Sequence, residues 1–572
     1  MRLAAPALAS VPALVLLAAC GPANDGAPAS SGDGAAAPSA DRVFTGGPIY
    51  TGLDGPAMAE LVAVADGRIV YVGGAAGAES LIGPDTEMVN LGGAAMFPGF
   101  TDSHVHVIGV GARERSLNLE DVGSIAELQA AVAGAAADET ASIIAGRGWI
   151  ETHWPDGRFP TAADLDAVES ERPVVLVRAD GHALVANTAA MEAAGITNDT
   201  PDPEGGAIRR DETGAATGMI IDTAMAPFAA LSPEPTRDER KYLYELGARV
   251  IAASGWTGVH DMSVDYADVD LMAELAEDGR FPIRSLVYAN PEDYAAVAAA
   301  APRVEADGRV IARGVKFYMD GALGSRGAAL LAPYDDAPEN SGLFLSQRPS
   351  SEAMMRDALE DGVQLAVHAI GDAGNQRLLN WMESSFDAVP EAERAVADPR
   401  WRVEHAQVLA PVDIPRFGEM RVIASMQPSH AIGDLHFAPS RIGLQRLDGA
   451  YAWRTLIETG ALIAGGSDAP VERGEARIEF YAAAVRRDLN GYAGEGWNLD
   501  QALDRETALK LFTIWPAYAS FREDELGTIE VGKIADFSVF DRDLMTVPDL
   551  ELRNARPVMT VVDGEIVWRA ED

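Results

Sequence analysis

The chain has 572 residues, with 45 basic against 87 acidic side chains and a net charge of −42. That length exceeds one simple core and suits a large α/β domain with an accessory module, while the acidic balance excludes nucleic acid and anionic membranes, both polyanions, as electrostatic partners. The one cysteine, Cys20, excludes intramolecular disulfides and thiolate metal sites, so any metal must be held by imidazole, carboxylate or a lysine-derived oxygen.

At the start, Arg2 precedes an apolar stretch ending Leu16-Leu17-Ala18-Ala19-Cys20. Pro6 and Pro12 interrupt it and no basic stop-transfer cluster follows, which disfavours a membrane-spanning helix. The Leu-Ala-Ala-Cys ending resembles a bacterial lipoprotein signal. The resemblance implies a signal peptide over residues 1–19, lipidation at Cys20, and an Ala/Gly/Ser/Pro tether over 20–40. It places the protein in the cell envelope, on the outer membrane facing the periplasm, with the lipid as its sole membrane contact.

Short apolar runs at 42–49, 60–64 and 68–72 read as strands, and runs at 536–540, 557–562 and 565–568 read alike. The two chain ends are therefore expected to fold together as a small β-sandwich, 41–94 with 523–572. Between them, strand candidates at 95–100, 258–261, 283–288, 314–319, 363–369, 401–405, 422–426 and 462–466 alternate with helical stretches such as Arg237–Ala253. Alternation of this kind favours parallel βα units, and eight of them predict a (β/α)8 TIM-type barrel over 95–522. The gap between the first two strands is too long for one helix, so about 110–235 reads as an inserted subdomain over the barrel mouth, with a strand at 173–178.

Candidate chemistry falls at the ends of these strands, the face on which such barrels carry their sites. In Thr101-Asp102-Ser103-His104-Val105-His106 the two histidines lie two apart and point to one side of a strand. Lys316 stands in the apolar run Gly314-Val315-Lys316-Phe317-Tyr318. A bare buried ammonium is costly, so it must be paired, with Asp320 as the structural alternative, or neutral, or converted by CO₂ to a carbamate that bridges two cations. His368 and His405 end consecutive apolar strands, and Asp468 follows another in Gly465-Gly466-Ser467-Asp468-Ala469-Pro470. Asp468 is suited to bind a metal and to take a proton from the attacking water.

The order His-x-His, Lys, His, His, Asp over successive strands resembles the amidohydrolase superfamily, as do the flanking motifs Phe97-Pro98-Gly99-Phe100 and Gly527-Thr528-Ile529-Glu530-Val531-Gly532-Lys533. The insertion, with Phe159-Pro160-Thr161, Asp180-Gly181-His182 and residues 200–206, resembles amidohydrolase family 3, which includes N-substituted formamide deformylases. The resemblance spans roughly residues 41–572. It implies two divalent ions, zinc first, with Mn, Fe, Co or Ni not excluded by the ligand types. One ion is held by His104, His106 and Asp468, the other by His368 and His405, with carbamylated Lys316 between them. It further implies hydrolysis of a non-peptide C–N bond in an amide, formamide or N-acyl compound by a metal-activated hydroxide, with Asp468 passing the proton to the leaving amine. Ester or lactone hydrolysis, and a non-catalytic metal-binding lipoprotein, are the alternatives.

For the substrate, His182, Trp149, His153, Trp154 and Asp320 are the candidate contacts. His430, after the seventh strand, is a candidate catalytic residue able to donate to a developing oxyanion. The partner implied is a small amide-type molecule, with homodimerisation left open.

Overall fold

A computed structural model describes residues 39–571, apart from 54–57, 121, 139–140, 180, 204 and 232–234; the side chains of His153 and Arg348 are also outside the description. The leader with Cys20, and the tether up to residue 38, lie outside the described residues. Among the described residues no helix is long and apolar enough to cross a membrane.

Eight parallel strands form the central sheet: β1 (Phe100–Val105), β2 (Trp256–Val264), β3 (Arg284–Ala289), β4 (Val310–Tyr318), β5 (Gln364–Ala369), β6 (Arg402–His405), β7 (Ile423–Met426) and β8 (Ile463–Gly465). These strands are buried on both faces, as a parallel sheet covered by helices requires. The strands follow chain order, and the sheet nearly closes where β8 returns to β1. There the N–H of Asp468 donates to the His104 carbonyl at 2.6 Å and that of His106 to Ala469 at 2.9 Å. Closure depends on Gly466, because a Cβ at that position would stand 2.5 Å from the His104 nitrogen.

The expected first strand, 95–100, proves to be two strands. Ala95–Pro98 pairs with Phe537–Phe540 in the sheet built from the chain ends, and only after Gly99 does the backbone enter the barrel. The end strands form one hydrogen-bonded sheet of eight, from Arg42–Tyr50 to Glu565–Arg569, where two stacked sheets were expected. Its core draws Phe44, Val62 and Met96 from one end and Phe537, Val539 and Val561 from the other. Arg284 at the base of β3 ties the two parts by pairing with Asp536 at 2.7 Å.

The helix Arg237–Ala253 shows how local rules place the barrel's outer layer. Thr236 and Glu239 form a capping box, worth about 1 kcal/mol. Leu243, Tyr244, Gly247, Ala248 and Ile251 then fall on one face at helical spacing and are buried. The insertion holds more structure than the single expected strand: six strands from Leu117–Asn118 to Ala216–Asp222 form a mixed sheet. Trp149 and Trp154 belong to its core. Their indole N–H groups donate to the Leu176 and Val122 carbonyls, both at 2.8 Å, and their rings pack 6.1 Å apart beside Leu128 and Leu165. This corrects their assignment as substrate contacts, since neither lines the cavity at the barrel mouth.

Candidate metal centre and active site

The C-terminal ends of the barrel strands floor a cavity of about 410 Å³, within the range of small-molecule sites. His104, His106, Lys316, His368, His405, His430 and Asp468 all line it, as does His182 from the insertion. Asp468 is central. Its Oδ1 lies 3.3 Å from Nε2 of His106 and 3.6 Å from Nε2 of His104, and its Oδ2 lies 3.9 Å from Nδ1 of His405 and 3.7 Å from Nε2 of His430. Ligand atoms of His104, His106 and Asp468 lie within 4.8 Å of one another, and so do those of His405, His430 and Asp468. The His368 ring sits 4.6 Å from that of His405, while its Nε2 lies 3.4 Å from the Gly321 carbonyl. Imidazole and carboxylate donors in this grouping fit a divalent cation.

Each ring is oriented from behind. Nδ1 of His104 bonds Glu404 at 2.6 Å, Nδ1 of His106 bonds the Met262 carbonyl at 2.9 Å, and Nδ1 of His405 bonds Oε1 of Gln427 at 2.8 Å. Such contacts fix ring orientation and tautomer in metal-binding histidines. Glu404 is itself held by Arg402, Nε to Oε1 at 2.7 Å and Nη2 to Oε2 at 3.0 Å, with both side chains fully buried. The backbone is tightly turned at the same places, since His405, Ala406 and Asp468 have φ of +74°, +44° and +61°. Non-glycine residues there are strained, and the strain bends each strand end so that its side chain meets the cavity.

Burial, helped by the charge of Lys316, pushes His104 down to about 4. Burial and neighbouring charges hold His368 and His405 well below the ordinary histidine value. These rings are therefore neutral near pH 7, as ligation requires. Burial works against ionisation of Asp468, but His104, His106 and His405 outweigh it and hold the carboxyl well below its usual range. Behind the site, burial pushes Glu479 up to about 8; its Oε2 accepts the Ser429 N–H at 3.0 Å and its Oε1 has no hydrogen-bond partner. An acid raised in the fold above its unfolded value of about 4.3 stabilises the protein below that value and loses this contribution as pH rises through 8. Glu479→Gln is thus expected to flatten the stability–pH slope between pH 6.5 and 8 by up to about 1.4 kcal/mol per unit. Urea titrations at several pH values measure this, and an unchanged slope would show that Glu479 is ionised in the fold.

Lys316 is buried, with Nζ 3.3 Å from Nε2 of His104 and 4.8 Å from the Tyr318 ring centroid. The alternative ion pair with Asp320 does not form. Asp320 instead accepts N–H bonds from Ala329, Ile370 and Gly371 at 2.8–2.9 Å, shaping the loop beneath the cavity, and this corrects its assignment as a substrate contact. His182 reaches the cavity with Nδ1 2.8 Å from Asp222. His153 lies in the short turn Glu151–His153, its side chain outside the described residues, as is Asp180.

Against known proteins, the model of the "Amidohydrolase family", in its family 3 form, matches residues 87–568. The chain belongs to amidohydrolase family 3. This amidohydrolase is 33% identical to amidohydrolase YtcJ of Bacillus subtilis (strain 168) over 534 residues, 92% of this chain and 99% of the relative. It is 26% identical to the N-substituted formamide deformylase of Arthrobacter pascens over 526 residues, covering 88% and 94% of the two chains. A crystal structure of a metal-dependent hydrolase from Pyrococcus horikoshii OT3 superposes with a TM-score of 0.71 at 26% identity, covering 89% of this chain and 99% of that one. Membership makes this protein a metal-dependent hydrolase with the nearly closed eight-stranded barrel of its family.

Sequence reasoning missed Glu404, Arg402 and Gln427, which orient the histidines, and Tyr318, Asp434 and Glu472, which line the cavity. One signal was available: Arg402 and Glu404 stand two apart, hence on one face, in the strand that ends at His405.

Proposed function

We propose that this amidohydrolase cleaves a non-peptide C–N bond in an amide, formamide or N-acyl compound. The observation that carries the reading is Asp468, ionised and centred among the histidines on the floor of a cavity sized for a small molecule. The named activity of the Arthrobacter relative supports the bond type.

His104, His106 and Asp468 would hold one divalent ion, zinc being the first choice. His405 has two neighbours, His368 and His430, with ring centroids at 4.6 and 5.9 Å. For a second ion, His405 with His368 is the pair that the family resemblance implies, which leaves His430 facing the substrate. A carbamate on Lys316 would resolve the burial of an amine for which no carboxylate lies within ion-pair distance among the described residues. Bound ions supply Lewis acidity at the substrate carbonyl. Asp468 takes the proton from the attacking water and returns it to the leaving nitrogen, which that nitrogen needs because an amide anion is a poor leaving group. His182, held by Asp222, lines the cavity on the substrate side, and Ile150, Leu323 and Phe437 exclude water from the walls. Anchoring in the envelope through Cys20 rests on Arg2 and the Leu16–Cys20 ending.

Chelation is expected to abolish turnover, and added Zn²⁺ with bicarbonate to restore it. The assay is a panel of N-substituted formamides, N-acyl amines and cyclic amides beside matched esters and lactones. Turnover of the esters alone would overturn the C–N assignment.

A further inference from the structure

One wall of the cavity concentrates carboxyl groups. Glu472 lies four residues beyond Asp468 and lines the cavity with its side chain 28% exposed. Asp434 lines the same wall, its Oδ2 accepting from Nε2 of Gln407 at 3.0 Å and from the Tyr451 hydroxyl. Glu479 is buried behind them. Arg113 offers Glu472 no side-chain partner: it bonds the backbone oxygens of Glu472 and Arg473 and directs its remaining contacts to Glu114 and Glu120. Among the described residues, the ion-pair-type neighbour of the Glu472 carboxylate is His430, with Nε2 at 3.9 Å from Oε1.

His430 is the second, independent observation. It is 7% exposed, yet neither ring nitrogen has a hydrogen-bond partner, and Nε2 faces both Glu472 at 3.9 Å and Asp468 at 3.7 Å. A buried polar ring left unbonded is unfavourable and marks a place where a further polar group belongs. Carboxylates crowded into a partly dry cavity repel one another, and a cation arriving among them removes that repulsion.

Building on the C–N hydrolase reading, we propose that the corner formed by Glu472, Asp434 and His430 is a subsite for an ammonium group carried by the substrate. An ammonium has three N–H donors and no acceptor. Two carboxyl groups and one imidazole nitrogen match that count, and an ammonium arriving among the carboxyl groups favours their ionised form. The substrates selected would be amides bearing a second, protonated amine, and neutral amides of equal size would bind less well.

Calorimetric titration of the metal-loaded protein with butylammonium and with butan-1-ol tests the subsite. Wild type is expected to bind the ammonium at least tenfold more tightly, and Glu472→Gln and Asp434→Asn each to remove most of that difference with metal content unchanged. Equal affinity for the two probes in wild type would overturn the proposal without any variant. So would a preference that survives both substitutions, or loss of metal in Glu472→Gln, which would place that carboxylate at the ions instead. The binding result stands apart from turnover: ammonium selectivity without amide hydrolysis counts against the C–N reading alone, and amide hydrolysis without selectivity counts against the subsite alone.

Discussion

Asp468→Asn is expected to lower kcat by about 10³-fold, the middle of the range for loss of a positioned general acid–base. The substitution isolates chemistry from folding for two reasons. Asparagine tolerates the left-handed backbone that Asp468 adopts at φ +61°, and its size preserves the backbone bond from residue 468 to the His104 carbonyl. A carboxamide can still offer an oxygen beside His104 and His106, so most of the metal should remain. It cannot take a proton from water and return it to nitrogen. Steady-state kinetics beside metal analysis measure both quantities, and a fall in kcat of less than about tenfold would remove Asp468 from the role of proton carrier.

The second large effect concerns Glu404, a residue that touches no substrate. Arg402 and Glu404 are both fully buried, and Arg402 also reaches Nδ1 of His260 and Oγ of Ser425 at 2.6 Å each. Removing one partner strands the other charge in the barrel interior. Glu404→Ala is therefore expected to lower the unfolding free energy by about 3–5 kcal/mol. Arg402→Met with Glu404→Leu removes both charges while keeping apolar volume, and should cost far less than the single change. Metal affinity behaves differently. Both variants lose the bond from Nδ1 of His104 to Glu404, so both should bind metal about 10- to 100-fold more weakly. Denaturant titration and metal competition assays separate the two effects. If Glu404→Ala cost under about 1 kcal/mol, the pair would not be held as a charged unit.

Much of the barrel was legible because long-range architecture coincides with a local pattern. Eight apolar runs of strand length, each buried on both faces, stand out against polar connections, and the observed strands differ from the expected ones chiefly at their ends. The break at Gly99 was not visible, because only pairing with Phe537–Phe540 assigns Ala95–Pro98 to another sheet. The insertion was read poorly for a different reason. Strands such as Gly206–Arg210 and Ala216–Asp222 carry glycine, arginine and threonine, so no local apolar period marks them even though they pair with each other as neighbours.

The candidate site divides in the same manner. By itself the sequence determined which residues can ligate, because histidine and carboxylate are rare at the ends of apolar strands and their spacing of two places them on one face. It also marked Lys316, since an ammonium in an apolar strand demands an explanation. Side-chain direction and partners were decided by the tertiary structure alone. Trp149 and Trp154 look like pocket aromatics until their indoles are seen bonded inside the insertion, and Asp320 looks like a partner for Lys316 until three backbone N–H groups claim it. Glu404 and Glu472 differ from dozens of other acidic residues only in what surrounds them. The physical reason is that residue type and local period fix which face of an element a side chain occupies, whereas its charge state, hydrogen bonds and exposure depend on neighbours from β1, β6 and β8, far apart in the chain.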